Sequence, residues 1–133
     1  MIYVNKKWLS HIWSCVGGDL DDPKLMLKDM NDSINFSILI KEYIQPCFDG
    51  FETIYKDLLK ETWKYAINFY DEETLENEFE RLIPAFSIPG SPKEFYTKVW
   101  QALFPEESWK IDRKDFYDMN DSQLSLRDWI EKL

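Results

Sequence analysis

The chain has 133 residues, 44% of them hydrophobic and 17% aromatic, a composition that excludes an intrinsically disordered protein and predicts one domain over residues 1–133. Its 25 acidic and 16 basic residues give a net charge of −9. This charge argues against direct binding to nucleic acid or to an anionic membrane and favours a basic protein partner, although it could also serve solubility alone.

Two cysteines, Cys15 and Cys47, are too few for the disulfide framework of a small secreted domain. We therefore expect both to be reduced and buried. The N-terminal apolar stretch is too short and too interrupted for a signal peptide. Together these features predict a cytoplasmic protein.

Two helices are predicted near the N-terminus. In Val4–Val16 the apolar residues recur at helical spacing, and Gly17-Gly18 ends the segment. Asp22 would cap a short second helix that begins at Pro23 and continues through Met30.

Residues 34–48 carry two patterns. Apolar residues alternate over residues 34–40, as in a strand, but they also match a helical face that continues to Cys47. We predict a helix, which Pro46 would end or kink, because no second convincing strand is present to pair with. The alternative is an α+β fold with a small sheet near residues 34–40.

The remaining segments are predicted to be helical over residues 51–70, 71–83, 91–104 and from about Ser122 to Leu133. Leu75, Phe79, Leu82 and Ile83 should face inward, and Ile54 and Phe69 belong to the apolar stripe of residues 51–70. Ser91 and Glu94 form a capping box, with Pro92 at the first helical position. The sum is an all-α bundle of about six helices.

No catalytic or metal site is recognisable. His11 and Cys15 are four residues apart and could meet on one helical face, but no third group orients them, so packing is the better interpretation. A closed zinc site needs four ligands, and the acids at Asp19–Asp22 lack the pattern of a calcium loop. We therefore predict a protein without a cofactor and without enzymatic activity. A small carboxylate-dependent enzyme remains an alternative, because any two acids can meet in space.

Two acidic segments are the candidate partner-binding regions. The first places six acids within Asp71–Glu80 without an intervening base, and like charges at these spacings repel each other on one helix. The second, Glu106–Asp121, combines acids with aromatic residues of the kind that anchor interfaces. The predicted partner-binding residues are Asp71, Glu72, Glu73, Glu76, Glu80, Trp109, Asp112, Asp115, Phe116, Tyr117 and Asp118.

With these acids and interleaved aromatics, the chain resembles the immunity proteins of bacterial toxin systems, including contact-dependent growth inhibition. The resemblance is one of style over the whole chain, because such families share no common motif. It implies a protein that binds a basic nuclease toxin domain in the cytoplasm and neutralises it. The alternatives are another adaptor, or a phage-encoded inhibitor or nucleic-acid mimic.

Overall fold

The computed structural model describes residues 1–16, 25–81, 84–111, 115–119 and 124–133. Within these ranges the chain forms six helical runs, α1 to α6, and two short strands, β1 and β2. The strands are Ile2–Val4 and Phe116–Asp118. Helix α1 joins Lys6–Leu9, Ser10–Trp13 and Ser14–Val16, of which the first and last are 3₁₀ turns; α2 joins Ser33–Ile38, Leu39–Ile44 and Gln45–Asp49; α3 is Thr53–Phe69, α4 Glu72–Glu80, α5 Pro92–Leu103 and α6 Leu126–Glu131.

The predicted helical fold is confirmed, and so is the helix in the ambiguous segment. Asp32 caps α2 by accepting hydrogen bonds from the backbone N–H groups of Ile34 and Asn35. Pro46 does not end the helix, which continues to Asp49. The preceding turns, Leu39–Ile44, are π-helical, and a wider turn of this kind accommodates a proline that lacks an N–H.

The sheet lies in a place that the sequence did not predict. Val4 belongs to strand β1 rather than to the first helix, and β1 pairs in parallel with β2, with Ile2 opposite Phe116 and Val4 opposite Asp118. Three-residue strands carry too little periodicity to be read from sequence. The pair brings the N-terminus against the second candidate segment.

The short helix predicted to run through Met30 is wrong over its described residues. Residues 25–27 form a turn, and Leu27 adopts a positive φ of 57° that no helix allows. Leu25 and Met30 point into the core from this turn, and the backbone N–H of Leu27 donates to the carbonyl of Ala85. The predicted cap at Asp22, the start at Pro23 and the Gly17-Gly18 stop lie outside the described residues, as do Leu82 and Ile83.

The core is aromatic and internally hydrogen-bonded. Trp13 is fully buried against the rings of Trp63, Phe79 and Tyr96. Its indole Nε1 donates to the Tyr96 hydroxyl at 3.0 Å, and that hydroxyl donates to the Leu75 carbonyl at 2.6 Å. These bonds connect α1, α5 and α4. The predicted burial of Leu75 and Phe79 is confirmed, and because these two residues face the core, the opposite side of α4 faces solvent.

The cysteines are not thiols in this structure. A disulfide joins Cys15, at the end of α1, to Cys47 in α2, and both residues are half-buried. The expectation of two reduced cysteines is therefore wrong. Their approach depends on the packing of α1 on α2, which their separation of 32 residues does not reveal.

Ile54 and Phe69, assigned to the apolar stripe of residues 51–70, are exposed instead, and so is Leu133, which the sequence pattern places on the apolar face of the last helix with Leu126, Trp129 and Ile130. Phe69 is the last residue of α3, and 59% of its surface is exposed. The buried face of α3 is formed by Leu59, Trp63, Ala66 and Ile67. Phe69 lies beside that face, on the side that turns towards β2.

A candidate protein-binding surface

Three glutamates form one stripe on the outer face of α4. Glu73, Glu76 and Glu80 are spaced three and four residues apart, so they share one side of the helix. All three are exposed. None of them has a hydrogen-bond or ion-pair partner among the residues that the structure describes. We call these three residues the acidic stripe.

Asp71 and Glu72 each cap the N-terminus of a helix. The carboxylate of Asp71 caps α4 by accepting the backbone N–H of Thr74 at 2.8 Å. Hydrogen bonding from the side chain and then from the backbone of Thr74 lowers the pKa of Asp71. Glu72 accepts one hydrogen bond from the Ser91 hydroxyl and one from the backbone N–H of Lys93, both at 2.8 Å. It thereby caps α5 from the neighbouring helix.

This cross-helix cap replaces part of the predicted capping box. Ser91 accepts the backbone N–H of Glu94, as predicted, but Glu94 is exposed and Glu72 supplies the carboxylate instead. A capping pattern within one segment cannot reveal an acid that arrives from another helix. Glu72 is thus engaged within the fold rather than free for a partner.

Glu78, the remaining acid of this segment, faces inward. It is 3% exposed, and its Oε1 accepts a hydrogen bond from Arg81 Nη2 at 3.1 Å. Its Oε2 is buried without a hydrogen-bond partner in the described part of the chain. Burial raises the pKa of Glu78, and the nearby charge of Arg81 opposes that change. The charges of Lys6 and Lys7 act in the same direction as Arg81, so the helix is not remote from bases as the sequence suggested.

The acids of the second segment are also tied into the fold. Asp118 accepts a hydrogen bond from the Tyr70 hydroxyl at 3.1 Å, and Asp115 lies 3.8 Å from the amino group of Met1. Burial and the charge of Asp118 raise the pKa of Tyr70 far above its ordinary value. Because Tyr70 links the end of α3 to the start of α4, this bond connects β2 to the helix that carries the acidic stripe.

The aromatic residues of that segment differ in exposure. Trp109 is half-buried against the core, and its carbonyl accepts Asn68 Nδ2 at 2.8 Å. Phe116 packs on Tyr65 at 5.4 Å between ring centroids. Tyr117 is 53% exposed. Asp112 lies outside the described residues.

Phe69 is a candidate interface residue that the sequence did not reveal. Its exposed ring packs on Tyr65 at 4.8 Å, so Phe69, Tyr65 and Phe116 form a continuous aromatic surface. The signal that could have indicated it is its position as the final residue of α3, immediately before Tyr70-Asp71. Aromatic residues are enriched in protein interfaces relative to the rest of the surface, which makes this group of rings a candidate contact area.

His11 packs against an aromatic ring, and the two cysteines are joined in a disulfide. His11 lies edge-on to Tyr55 with ring centroids 6.2 Å apart, and burial lowers its pKa. Cys15 is bonded to Cys47. In the described ranges no group of three or more His, Cys, Asp or Glu side chains is placed to hold a metal ion. Over the same ranges, no helix is both long and apolar enough to cross a membrane.

Comparison with known proteins gives one similarity to report. No family model matches the chain, and no solved structure matches it. A homoserine O-acetyltransferase of Streptococcus mutans is 26% identical over 95 residues, which are 71% of this chain but only 29% of that protein. The chain thus corresponds to less than a third of that enzyme's length, and this degree of identity does not establish membership of its family.

Proposed function

We propose that the chain is a non-enzymatic binding protein for a basic protein partner, and specifically an immunity protein that neutralises a nuclease toxin domain. The observation that carries the proposal is the acidic stripe. Glu73, Glu76 and Glu80 are exposed and unpaired within the described chain, on a helix whose opposite face is locked into the core.

The physical argument begins with repulsion within the stripe. Like charges one turn apart destabilise a helix by about 0.2–0.5 kcal/mol per pair, and a cationic partner reverses the sign of that interaction. Such a stripe also accelerates association, because its field steers a basic surface towards it. Lysines and arginines that bind nucleic-acid phosphates in a nuclease would meet the carboxylates in the same way.

Exposed aromatic rings supply what charge alone does not. Phe69 immediately precedes Tyr70 at the start of α4 and packs on Tyr65 next to Phe116, whereas Tyr117 lies on the opposite face of β2 and packs on Tyr3. Aromatic residues in interfaces contribute mainly to slow dissociation through buried contact area. The proposal therefore assigns association to the stripe and retention to Phe69.

The immunity proposal places the protein in the cytoplasm, where glutathione and thioredoxin keep cysteines reduced. The bond between Cys15 and Cys47 must then be dispensable for binding. Its loss is compatible with a fold that has its own aromatic core, because a chain of this length buries enough apolar surface without covalent support.

The test is affinity capture from the native host with immobilised protein, followed by washes at low and high salt and identification by mass spectrometry. Three proteins are compared: the wild type, the stripe variant Glu73→Gln/Glu76→Gln/Glu80→Gln, and a matched variant. The matched variant, Asp49→Asn/Glu52→Gln/Glu106→Gln, also removes three exposed charges, but at the opposite end of α3. We expect the wild type and the matched variant to retain one basic protein that the stripe variant loses.

The captured partner is then assayed for nuclease activity with and without the chain. Stoichiometric inhibition supports the immunity function. Retention without inhibition would instead favour the alternative of an adaptor. A gene located directly downstream of a large toxin gene would support the first function, and a location among phage genes would support a phage-encoded inhibitor or nucleic-acid mimic.

A second candidate function, acetyl transfer, rests on the similarity to homoserine O-acetyltransferase. Covalent acyl transfer needs a nucleophile beside a base, and His11 and Cys15 lie four residues apart in the first helix. The disulfide withholds the thiol. Transfer of an acetyl group from an added acetyl thioester to homoserine by the reduced protein, with release of the donor's thiol and abolished by Cys15→Ser, would favour this function over the binding role.

A further inference from the structure

A groove of about 590 Å³ opens between β1, α3 and α6, and no residue of the acidic stripe lines it. Its walls combine two kinds of surface. Ile2 and Leu58 supply apolar area, and Tyr3 and Trp129 supply aromatic rings, whose centroids are 5.0 Å apart. Two carboxylates, Asp57 and Glu61, line the same groove.

The two carboxylates lie one helical turn apart on α3, on the same wall of the groove, and therefore repel each other. Asp57 is exposed and has no ion-pair partner among the described residues. Glu61 is only half satisfied: its Oε1 lies 3.2 Å from Lys64 Nζ, whereas its Oε2 is buried without a hydrogen-bond partner in the described chain. Because Oε2 is closed to solvent, the carboxylate that is open to a ligand is that of Asp57, and Glu61 contributes its negative charge.

The cations already present have other partners. The amino group of Met1, at the edge of the groove, is paired with Asp115, and Lys64 is paired with the other oxygen of Glu61. Among the described residues that line the groove, the charge that remains is negative. Aromatic faces next to carboxylates attract organic cations through the ring quadrupole, and this chain uses the same contact elsewhere, where Lys98 lies 4.2 Å from the centroid of Phe36.

We propose that the groove binds a small organic cation, an ammonium or guanidinium group on an apolar body. The cationic group pairs with the exposed carboxylate of Asp57, and the negative charge of Glu61 adds to this attraction. The apolar body lies on Ile2 and Leu58, against the rings of Tyr3 and Trp129. The groove uses none of the residues of the acidic stripe, so this site does not depend on the proposed function.

The test uses 2-phenylethylamine as the cation and 2-phenylethanol as its neutral analogue, each titrated into the wild-type protein by two-dimensional NMR. We expect the amine to shift the signals of residues in β1, α3 and α6, and to bind at least tenfold more tightly than the alcohol. Equal binding of the two compounds would overturn the proposal, because it would show that the carboxylates do not contribute to the affinity for the ligand.

Variants locate the interaction. Asp57→Asn/Glu61→Gln should weaken amine binding at least tenfold, whereas Glu73→Gln/Glu76→Gln, which removes the same charge from the acidic stripe, should leave it unchanged. Equal loss in both variants would show attraction by net charge alone and contradict the site. Trp129→Leu should also weaken binding, and thermal melts establish that each variant is folded.

A third probe separates a free amine from a partner's side chain. An N-acetylated, C-amidated lysine peptide offers the same ammonium group on a polypeptide backbone. Binding of the peptide where 2-phenylethylamine does not bind would overturn the small-ligand proposal and assign the groove to a protein partner. The opposite result supports the proposal.

Discussion

Substitution of Tyr96 by phenylalanine isolates the hydrogen bonds of the core. The change removes one hydroxyl from a fully buried residue and leaves its ring contacts with Trp13 in place. Without that hydroxyl, the indole N–H of Trp13 loses its acceptor, and the Leu75 carbonyl loses a donor. The orphaned indole costs about 1–3 kcal/mol and the lost bond to the carbonyl about 0.5–1.5 kcal/mol, so the expected destabilisation is about 1.5–4.5 kcal/mol.

Urea denaturation followed by circular dichroism measures this loss. With a typical slope of about 2 kcal/mol per molar urea, the midpoint should fall by about 1–2 M without a change in slope. Tyr65→Phe is the matched control. Its hydroxyl makes no hydrogen bond in the described structure, so the expected change is within about 0.5 kcal/mol. A Tyr96→Phe midpoint no lower than that of the control would refute the hydrogen-bonded core described here.

Three further predictions concern the disulfide and the acids of α4. Reduction of the bond between Cys15 and Cys47 frees a loop of 32 residues, which should cost about 4 kcal/mol of folding free energy and lower Tm by about 13 °C in a chain of 133 residues. We expect the reduced protein to stay folded, and calorimetry with and without reductant measures the difference. A reduced protein that is unfolded at 25 °C would contradict the cytoplasmic proposal. Glu72→Gln weakens the charge-assisted cap of α5 and should cost about 1 kcal/mol in urea denaturation, whereas Glu76→Gln should cost nothing; equal effects would show that the cap does not stabilise the fold. Burial raises the pKa of Glu78 in the folded state, so the folded protein binds more protons than the unfolded chain just above the ordinary carboxyl pKa. This residue therefore makes the free energy of unfolding fall as pH rises through that window. Glu78→Gln should reduce the loss of stability between pH 4 and pH 7, and an unchanged pH dependence would contradict the burial of a charged Glu78.

Long helices with one apolar face were predictable because their periodicity is repeated over several turns. Helix α3 and helix α5 have such faces, and Ser91 and Pro92 also mark the start of α5 correctly. The two strands were not predictable, because three residues contain a single alternation and their pairing joins segments more than 100 residues apart. Leu27 was missed for a related reason: its positive φ depends on a hydrogen bond to Ala85, far along the chain.

The candidate site was predictable in composition but not in arrangement. The sequence shows a run of acids at residues 71–80, and only packing divides it into a buried Glu78, a capping Glu72 and an exposed stripe. The helical period alone would place Glu73, Glu76 and Glu80 together, but the cross-helix bonds decide which acids are free. The same is true of Phe69, since its exposure follows from where α3 ends.

The most direct test of the central claim is the association rate of the captured partner with the wild type and with Glu73→Gln/Glu76→Gln/Glu80→Gln at low and high salt. If the acidic stripe steers a basic partner, the wild-type rate falls steeply with salt, and the variant associates more slowly with a shallower salt dependence. Equal rates and equal salt dependence in the two proteins would contradict the claim that this surface of α4 binds the partner.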